Sequence, residues 1–145
     1  MFLQMRPMDF QADGSPRDPK LYGAAQQYAK NQFGEELVFP YYAHVWSVLA
    51  VEESGAYAVI GLLGIRNTID VCLFHVTPRT SDREGLKLAE QARDMMLYRG
   101  TAYLQDLGNS GSPILIYVAE NAQRYWRRFL KKIGAVPANR FEVKI

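Results

Sequence analysis

The hydrophobic period of the chain switches at Pro78, and that switch limits the folds open to it. Before it lie three runs, Val45–Glu52, Tyr57–Arg66 and Thr68–Val76, rich in Val, Ile, Leu and aromatic residues and punctuated by Ser54-Gly55 and Asn67. Apolar runs at such short spacing predict strands in an antiparallel meander. After it, Leu86, Ala89, Ala92, Met96, Gly100, Tyr103 and Leu107 recur every three or four residues. That spacing predicts one amphipathic helix from about Ser81 to Leu107, ended by Gly108 and the run Asn109–Pro113.

The flanks fill in the rest. A strand is expected near Phe2–Met8, then a turn over Gln11–Arg17, where Asp13, Gly14, Ser15 and Pro16 cluster. Asp18-Pro19 opens a helix, with Asp as N-cap and Pro at the first position, where its missing N–H costs nothing. Leu21, Ala25, Tyr28 and Ala29 form its apolar stripe and Gly34 its stop. Ile114–Val118 reads as a short buried strand. A last helix starts near Asn121, with Ala122, Tyr125, Trp126, Phe129 and Ile133 on one face and Gly134 as its end, and Phe141–Ile145 is a closing strand. The expected class is α/β (α+β): one domain over residues 1–145 with a single mixed, mostly antiparallel sheet and helices on both faces. Val71–Ala92 and Ile114–Ile133 each have the strand–loop–helix form of a crossover unit.

Composition narrows the function. The chain has 145 residues, of which 48% are apolar and 22% charged, enough to build a core without metal or disulfide staples. Cys72 is the single cysteine, which favours a reducing compartment. The uncharged stretch Val38–Val51 has 14 residues and contains Pro40 and His44, short of the roughly 18 apolar residues of a membrane span. The start of the chain lacks a signal-peptide pattern, so no membrane partner and a cytoplasmic address are the expectation. Charge is uneven: residues 121–145 hold seven basic residues and one acidic residue, a net +6, which leaves −4 for the remainder of a chain of net +2. The basic helix is either a solvated face or a surface for an anionic ligand or acidic partner. Nucleic acid is the weakest of these partners, because the body is acidic and no recognition motif is present.

Metal chemistry is not expected: His44 and His75 are the only histidines, and no metal-ligand spacing occurs. The pair Cys72 and His75 would lie on opposite faces of one strand, so both read as plain strand residues. The most informative junction is His75–Lys87, where a strand ends, a polar loop follows and a long helix begins. A helix N-terminus offers unpaired N–H groups and partial positive charge to a phosphate. There Gly85 would allow close backbone approach, with Arg83 and Lys87 adding charge. The competing reading is a capped helix, with Thr80 or Ser81 as N-cap and Asp82 and Glu84 complementing the dipole.

The element order, Met5-Arg6-Pro7 in the first strand, Val76-x-Pro78 before a helix, and Asn121 with Phe129-Leu130-Lys131-Lys132-Ile133-Gly134-Ala135 near the end together resemble the GCN5-related N-acetyltransferases (GNAT). The ending also resembles small GNAT-like proteins of tailed bacteriophages, some of which are virion components. The resemblance implies a GNAT-like fold and transfer of an acetyl group from acetyl-CoA to a primary amine, on a small molecule or on a protein or peptide. It places the pantetheine arm along the fourth strand, at Phe74 and Val76, and the pyrophosphate on Arg83, Glu84, Gly85, Leu86 and Lys87, with Asn121 contacting the cofactor. The family motif there is Arg/Gln-x-x-Gly-x-Gly/Ala; here Asp82 and Lys87 depart from it and Gly85 matches. Asp70 stands where a family base often sits. The usual acid, a Tyr four residues before the helix-ending Gly, is replaced by Leu130, which leaves Tyr125 as substitute acid or as core residue. The resemblance implies that Gly34–Tyr42, with Glu35, Glu36, Phe39, Tyr41 and Tyr42, lines the acceptor side. The alternative is a GNAT-like domain without catalysis that serves as a virion or protein-interaction component, or as a homodimer.

Overall fold

The computed structural model describes residues 1–66, 70–106, 115–116, 128 and 131–132, with 70–72 and 115–116 described through the backbone. The described elements are β1 (Phe2–Pro7), α1 (Pro19–Phe33), a 3₁₀ turn at Phe39–Tyr41, β2 (His44–Val51), β3 (Tyr57–Ile65), β4 (Asp70–Val76), α2 (Arg83–Asp106) and β5 (Leu115–Ile116). They form a mixed α+β arrangement with sheet order β1-β2-β3-β4-β5. The first four strands pair antiparallel with their neighbours. β5 runs parallel to β4, through Asp70↔Leu115 and Val71↔Ile116. The expected meander and the β4–α2–β5 crossover are therefore present. Tyr125, Asn121 and Leu107, the apolar stripe expected of a last helix and the strand expected over residues 141–145 fall outside the described residues.

Local chemistry sets α1. The Asp18 carboxylate accepts from Leu21 N–H at 3.1 Å, satisfying one of the orphan donors of the first turn. Pro19 follows within that turn, and Gly34 ends the helix in the left-handed region (φ 81°), its N–H returning to the Lys30 carbonyl.

Strand alternation then divides the core in two. On β2, Val45, Leu49 and Val51 join Leu21, Ala25, Tyr28 and Ala29 of α1, together with Leu62 and Leu73. Trp46, Val48 and Ala50 join Ala89, Ala92, Met96 and Leu104 of α2, together with Leu63, Phe74 and Val76. Successive residues of a strand point to opposite faces, so α1 and α2 cover different faces of β2–β4. Every residue of β2 from Val45 to Val51 is buried accordingly.

Two irregularities break the ladder. Val48 pairs with Gly61 but Leu49 with Val59, so Ile60 is an extra residue in β3. Gly64 pairs with Leu73 but Ile65 with Val71, so Cys72 is an extra residue in β4. Bulges of this kind bend a strand and re-aim its side chains, and they recur beside functional sites.

The long helix departs from its predicted face at its start. Leu86 is 54% exposed, and the inward positions are Gly85, Ala89, Ala92, Met96, Gly100 and Leu104. The first turn seats Gly85 against the preceding loop, which turns Leu86 outward.

Candidate functional site

The carboxyl end of β4, the loop Thr77–Asp82 and the first turn of α2 form one surface. Thr77 N–H extends the sheet by donating to the Ile60 carbonyl at 2.8 Å. Arg79 then pairs with Glu52 at 2.9 Å, an exposed ion pair that tethers the loop to the end of β2. The helix cap is Asp82, not Thr80 or Ser81 as the sequence suggested. Its Oδ1 accepts from Gly85 N–H at 2.8 Å and from the Thr80 hydroxyl at 2.8 Å. Those bonds, with Gly85 first, hold the Asp82 carboxyl below its ordinary range. Asp wins the cap position because its side chain reaches the N–H three residues on.

Gly85 is required by the protein's own loop. A Cβ built there would overlap the carbonyl and the hydroxyl of Thr80. Gly85→Ala is expected to destabilise the domain by about 1–3 kcal/mol, the usual range for overpacking, read as a lower urea midpoint at unchanged slope. A midpoint equal to that of the parent protein would contradict the packing. Bulky substitutions at Gly85 consequently disturb the loop whether or not a ligand binds, and they do not isolate a cradle role.

The residues singled out from sequence fall into three groups. Gly85 is buried, while Arg83, Glu84, Leu86 and Lys87 project from the first turn of α2 into solvent. Phe74 and Val76, at 4% and 5% exposure, point into the core under α2. Their side chains are packing residues, which leaves the β4 main chain as the part of that stretch able to face a ligand. Asp70 begins β4 at the opposite end of the strand, opposite Leu115. From Asp70 to Val76 the chain advances about 20 Å at ~3.3 Å per residue.

Sequence reasoning missed a polar cluster on the α1 face of the same strand. The Tyr28 hydroxyl lies 2.7 Å from His75 Nδ1, 3.1 Å from Thr77 Oγ1 and 3.1 Å from the Ile60 carbonyl. Phe33 stands edge-on to His75 at 4.8 Å between ring centres. Burial, and secondarily the Arg93 guanidinium, push the His75 pKa down to about 4. Burial drives the Tyr28 phenol well above its ordinary range. At neutral pH both groups are therefore uncharged, and the cluster is a hydrogen-bonded tie between α1, the bulge at Ile60 and the end of β4. Its partners are 32 to 49 residues apart in sequence, so no local spacing announces it; Tyr28 looked like a member of an apolar stripe.

The segment after α1 is held by Gln26, which is buried and exchanges two bonds with the Leu37 backbone, at 3.0 and 2.6 Å. Beyond it, Tyr41 accepts from Arg66, and Tyr42 packs into the α1-side core. Glu35 and Glu36 are exposed. Arg128, Lys131 and Lys132 are helical and exposed, with Lys132 Nζ 3.6 Å from Asp94 Oδ2 of α2. Such a surface pair contributes little to stability. Among the described residues no three His, Cys, Asp or Glu side chains converge as a metal site, and no helix is long and apolar enough to cross a membrane. Comparison with known proteins returned no matching family model, no matching curated protein and no matching solved structure.

Proposed function

We propose that the chain is a GNAT-like domain acting as an acyl-CoA-dependent N-acyltransferase, with acetyl-CoA as cosubstrate and a primary amine, on a small molecule or a protein, as acceptor. The observation that supports this reading is the parallel β4–α2–β5 unit at the edge of an antiparallel meander. Sheets carrying parallel crossovers bind ligands outside the carboxyl ends of their strands, which here is the Thr77–Lys87 surface. The bulge at Cys72 supports a site along β4.

The loop as it stands is not a vacant pyrophosphate cradle. Gly85 N–H is already bonded to Asp82, and Thr80 fills the space beside Gly85. Exposed Arg83 and Lys87 are then the charged partners left to a phosphate, and an anion taking the Gly85 N–H must first displace the Asp82 carboxylate. Asp70, at the far end of β4 from this surface, keeps its proposed role as base; Tyr125 and Asn121, outside the described residues, keep theirs as acid and cofactor contact.

The occupied cap specifically favours a second reading, a GNAT-like interaction protein without catalysis that binds a virion component, another protein or a second copy of itself. Calorimetric titration of acetyl-CoA separates the two. The enzyme reading expects micromolar binding, about −8 kcal/mol. It also expects a loss of about tenfold or more, ~1.4 kcal/mol, in Arg83→Glu/Lys87→Glu, whose side chains are exposed and leave the fold intact. Absence of heat at millimolar ligand would overturn the enzyme reading and leave the interaction protein.

A further inference from the structure

Three features around the start of α1 run against local rules, and they meet at one ring. Tyr57 opens β3 on the face covered by α1, packed against the cluster of Leu21 and Ala25. Its hydroxyl is buried and has no hydrogen-bond partner. Such a group is costly, and in a native fold it calls for an explanation, of which a bound ion is one. Two cations stand over the same ring: Arg6 Cζ is 5.5 Å and Lys20 Nζ 5.3 Å from its centre. Arg6 comes from β1, where it pairs with Ser47, and Lys20 from the first turn of α1. A helix dipole favours acidic residues in its first turn, yet α1 has none there and carries Lys20 instead. The neighbouring carboxylate, Asp18, is already engaged. Its Oδ1 accepts from Leu21 N–H at 3.1 Å, and its Oδ2 lies 3.8 Å from Arg6, too far for a hydrogen bond. Two cations thus share one carboxylate above a donor with no acceptor. Broken local rules concentrate at functional sites.

We propose that Arg6, Lys20 and the Tyr57 hydroxyl form a binding site for a phosphate group. One anion answers all three features. It bridges the two cations and removes their repulsion, it complements the start of α1, and it gives the hydroxyl an acceptor. The guanidinium fork of Arg6 matches phosphate oxygens two at a time. Arg6 and Lys20 are exposed at their ends, so these long side chains can part to admit the anion to the hydroxyl beneath them. Phe2 stands on the same face in the row Phe2–Val51–Tyr57 and is 56% exposed. It offers an apolar neighbour to the organic part of a phosphate ester. The site is built from β1, α1 and β3, shares no residue with the Thr77–Lys87 surface, and does not rest on the acyl-CoA reading.

The test is an amide NMR titration of the whole chain at constant ionic strength with inorganic phosphate, phenyl phosphate and, as control, chloride. The expected result is a saturable movement of the Lys20 and Leu21 amides with the phosphates at millimolar concentration, and none with chloride. Tighter binding of phenyl phosphate assigns the site to an ester, and tighter binding of inorganic phosphate to the free ion. Tyr57→Phe separates a ligand role from a structural one. Without phosphate it is expected to unfold at the same temperature as the parent or higher, because it removes an unsatisfied hydroxyl. Its phosphate affinity is expected to fall about three- to tenfold, the usual loss for one hydrogen bond to a charged group. Arg6→Gln and Lys20→Gln, both at exposed side-chain ends, are expected to weaken phosphate at least as much. Amides that stay fixed at millimolar phosphate, or that respond equally to chloride, would overturn the proposal. So would a Tyr57→Phe variant that keeps the full affinity, or one that is less stable than the parent without phosphate, since the hydroxyl would then have a partner within the fold.

Discussion

Truncating Met96 to alanine is expected to destabilise the domain by about 2–5 kcal/mol, the range for methionine and leucine removals from closed cores. Met96 is fully buried at the centre of α2. It packs in the cluster that contains Trp46, Val48, Leu63, Phe74 and Val76, the residues that anchor α2 to three strands. The sheet leaves room for it at Gly61, where even a Cβ would stand 3.4 Å from the Met96 sulfur and 2.9 Å from the His75 carbonyl. The His75 carbonyl and the β-branched Val76 border Gly61 on the same side. Equilibrium urea unfolding is the measurement. A loss below about 1 kcal/mol would mean that the site relaxes around the cavity, and that α2 is held less tightly than its contacts imply. Because α2 carries Arg83 and Lys87, the same variant is expected to weaken any ligand of its first turn.

The second large effect is a dependence on pH carried by His75. Its pKa is lowered from 6.5 in the unfolded chain to about 4 in the fold, chiefly by burial and then by Arg93. The folded state thus binds fewer protons than the unfolded state between these values, and stability rises with pH across that window. The contribution is complete above pH 6.5 and is lost as pH falls toward 4, by up to about 3 kcal/mol. His75→Gln keeps a polar side chain beside the Tyr28 hydroxyl and removes the titration. The difference between the unfolding free energies of parent and variant is therefore expected to shrink steadily from pH 7 to pH 4. His44, lowered in the same sense, and Asp82, lowered by its cap bonds, act in both proteins and cancel. Parallel curves across the window would show that the imidazole is protonated in the fold without penalty.

What the sequence revealed and what it concealed follow one physical division. The cap of α1 at Asp18, its stripe at Leu21, Ala25, Tyr28 and Ala29, and its end at Gly34 are local facts, set by groups within four residues of one another. The meander over β2–β4 was equally legible, because buried strands at short spacing have few other solutions. The start of α2 was not. A hydropathy stripe counts side chains and reads Leu86 as inward, but the position that fits under the loop is the residue with none, Gly85. The Tyr28–His75–Thr77 tie was hidden because its members meet across 47 and 49 residues of chain. Of the candidate site, the resemblance located the strand–loop–helix junction, while strand alternation decided that Phe74 and Val76 spend their side chains on the core. The cap was misplaced in sequence at Thr80 or Ser81, which are good N-caps by type, because only the fold shows that the Asp82 carboxylate reaches Gly85 N–H.

The most direct test of acyl-CoA binding at the β4–α2 junction is a titration of acetyl-CoA followed amide by amide by NMR. The proposed function predicts that the amides of Arg83, Glu84 and Gly85 move first and together, saturating at micromolar ligand as the Asp82 carboxylate releases Gly85. Amides that stay fixed up to millimolar ligand, or a response confined to residues away from Thr77–Lys87, would contradict it.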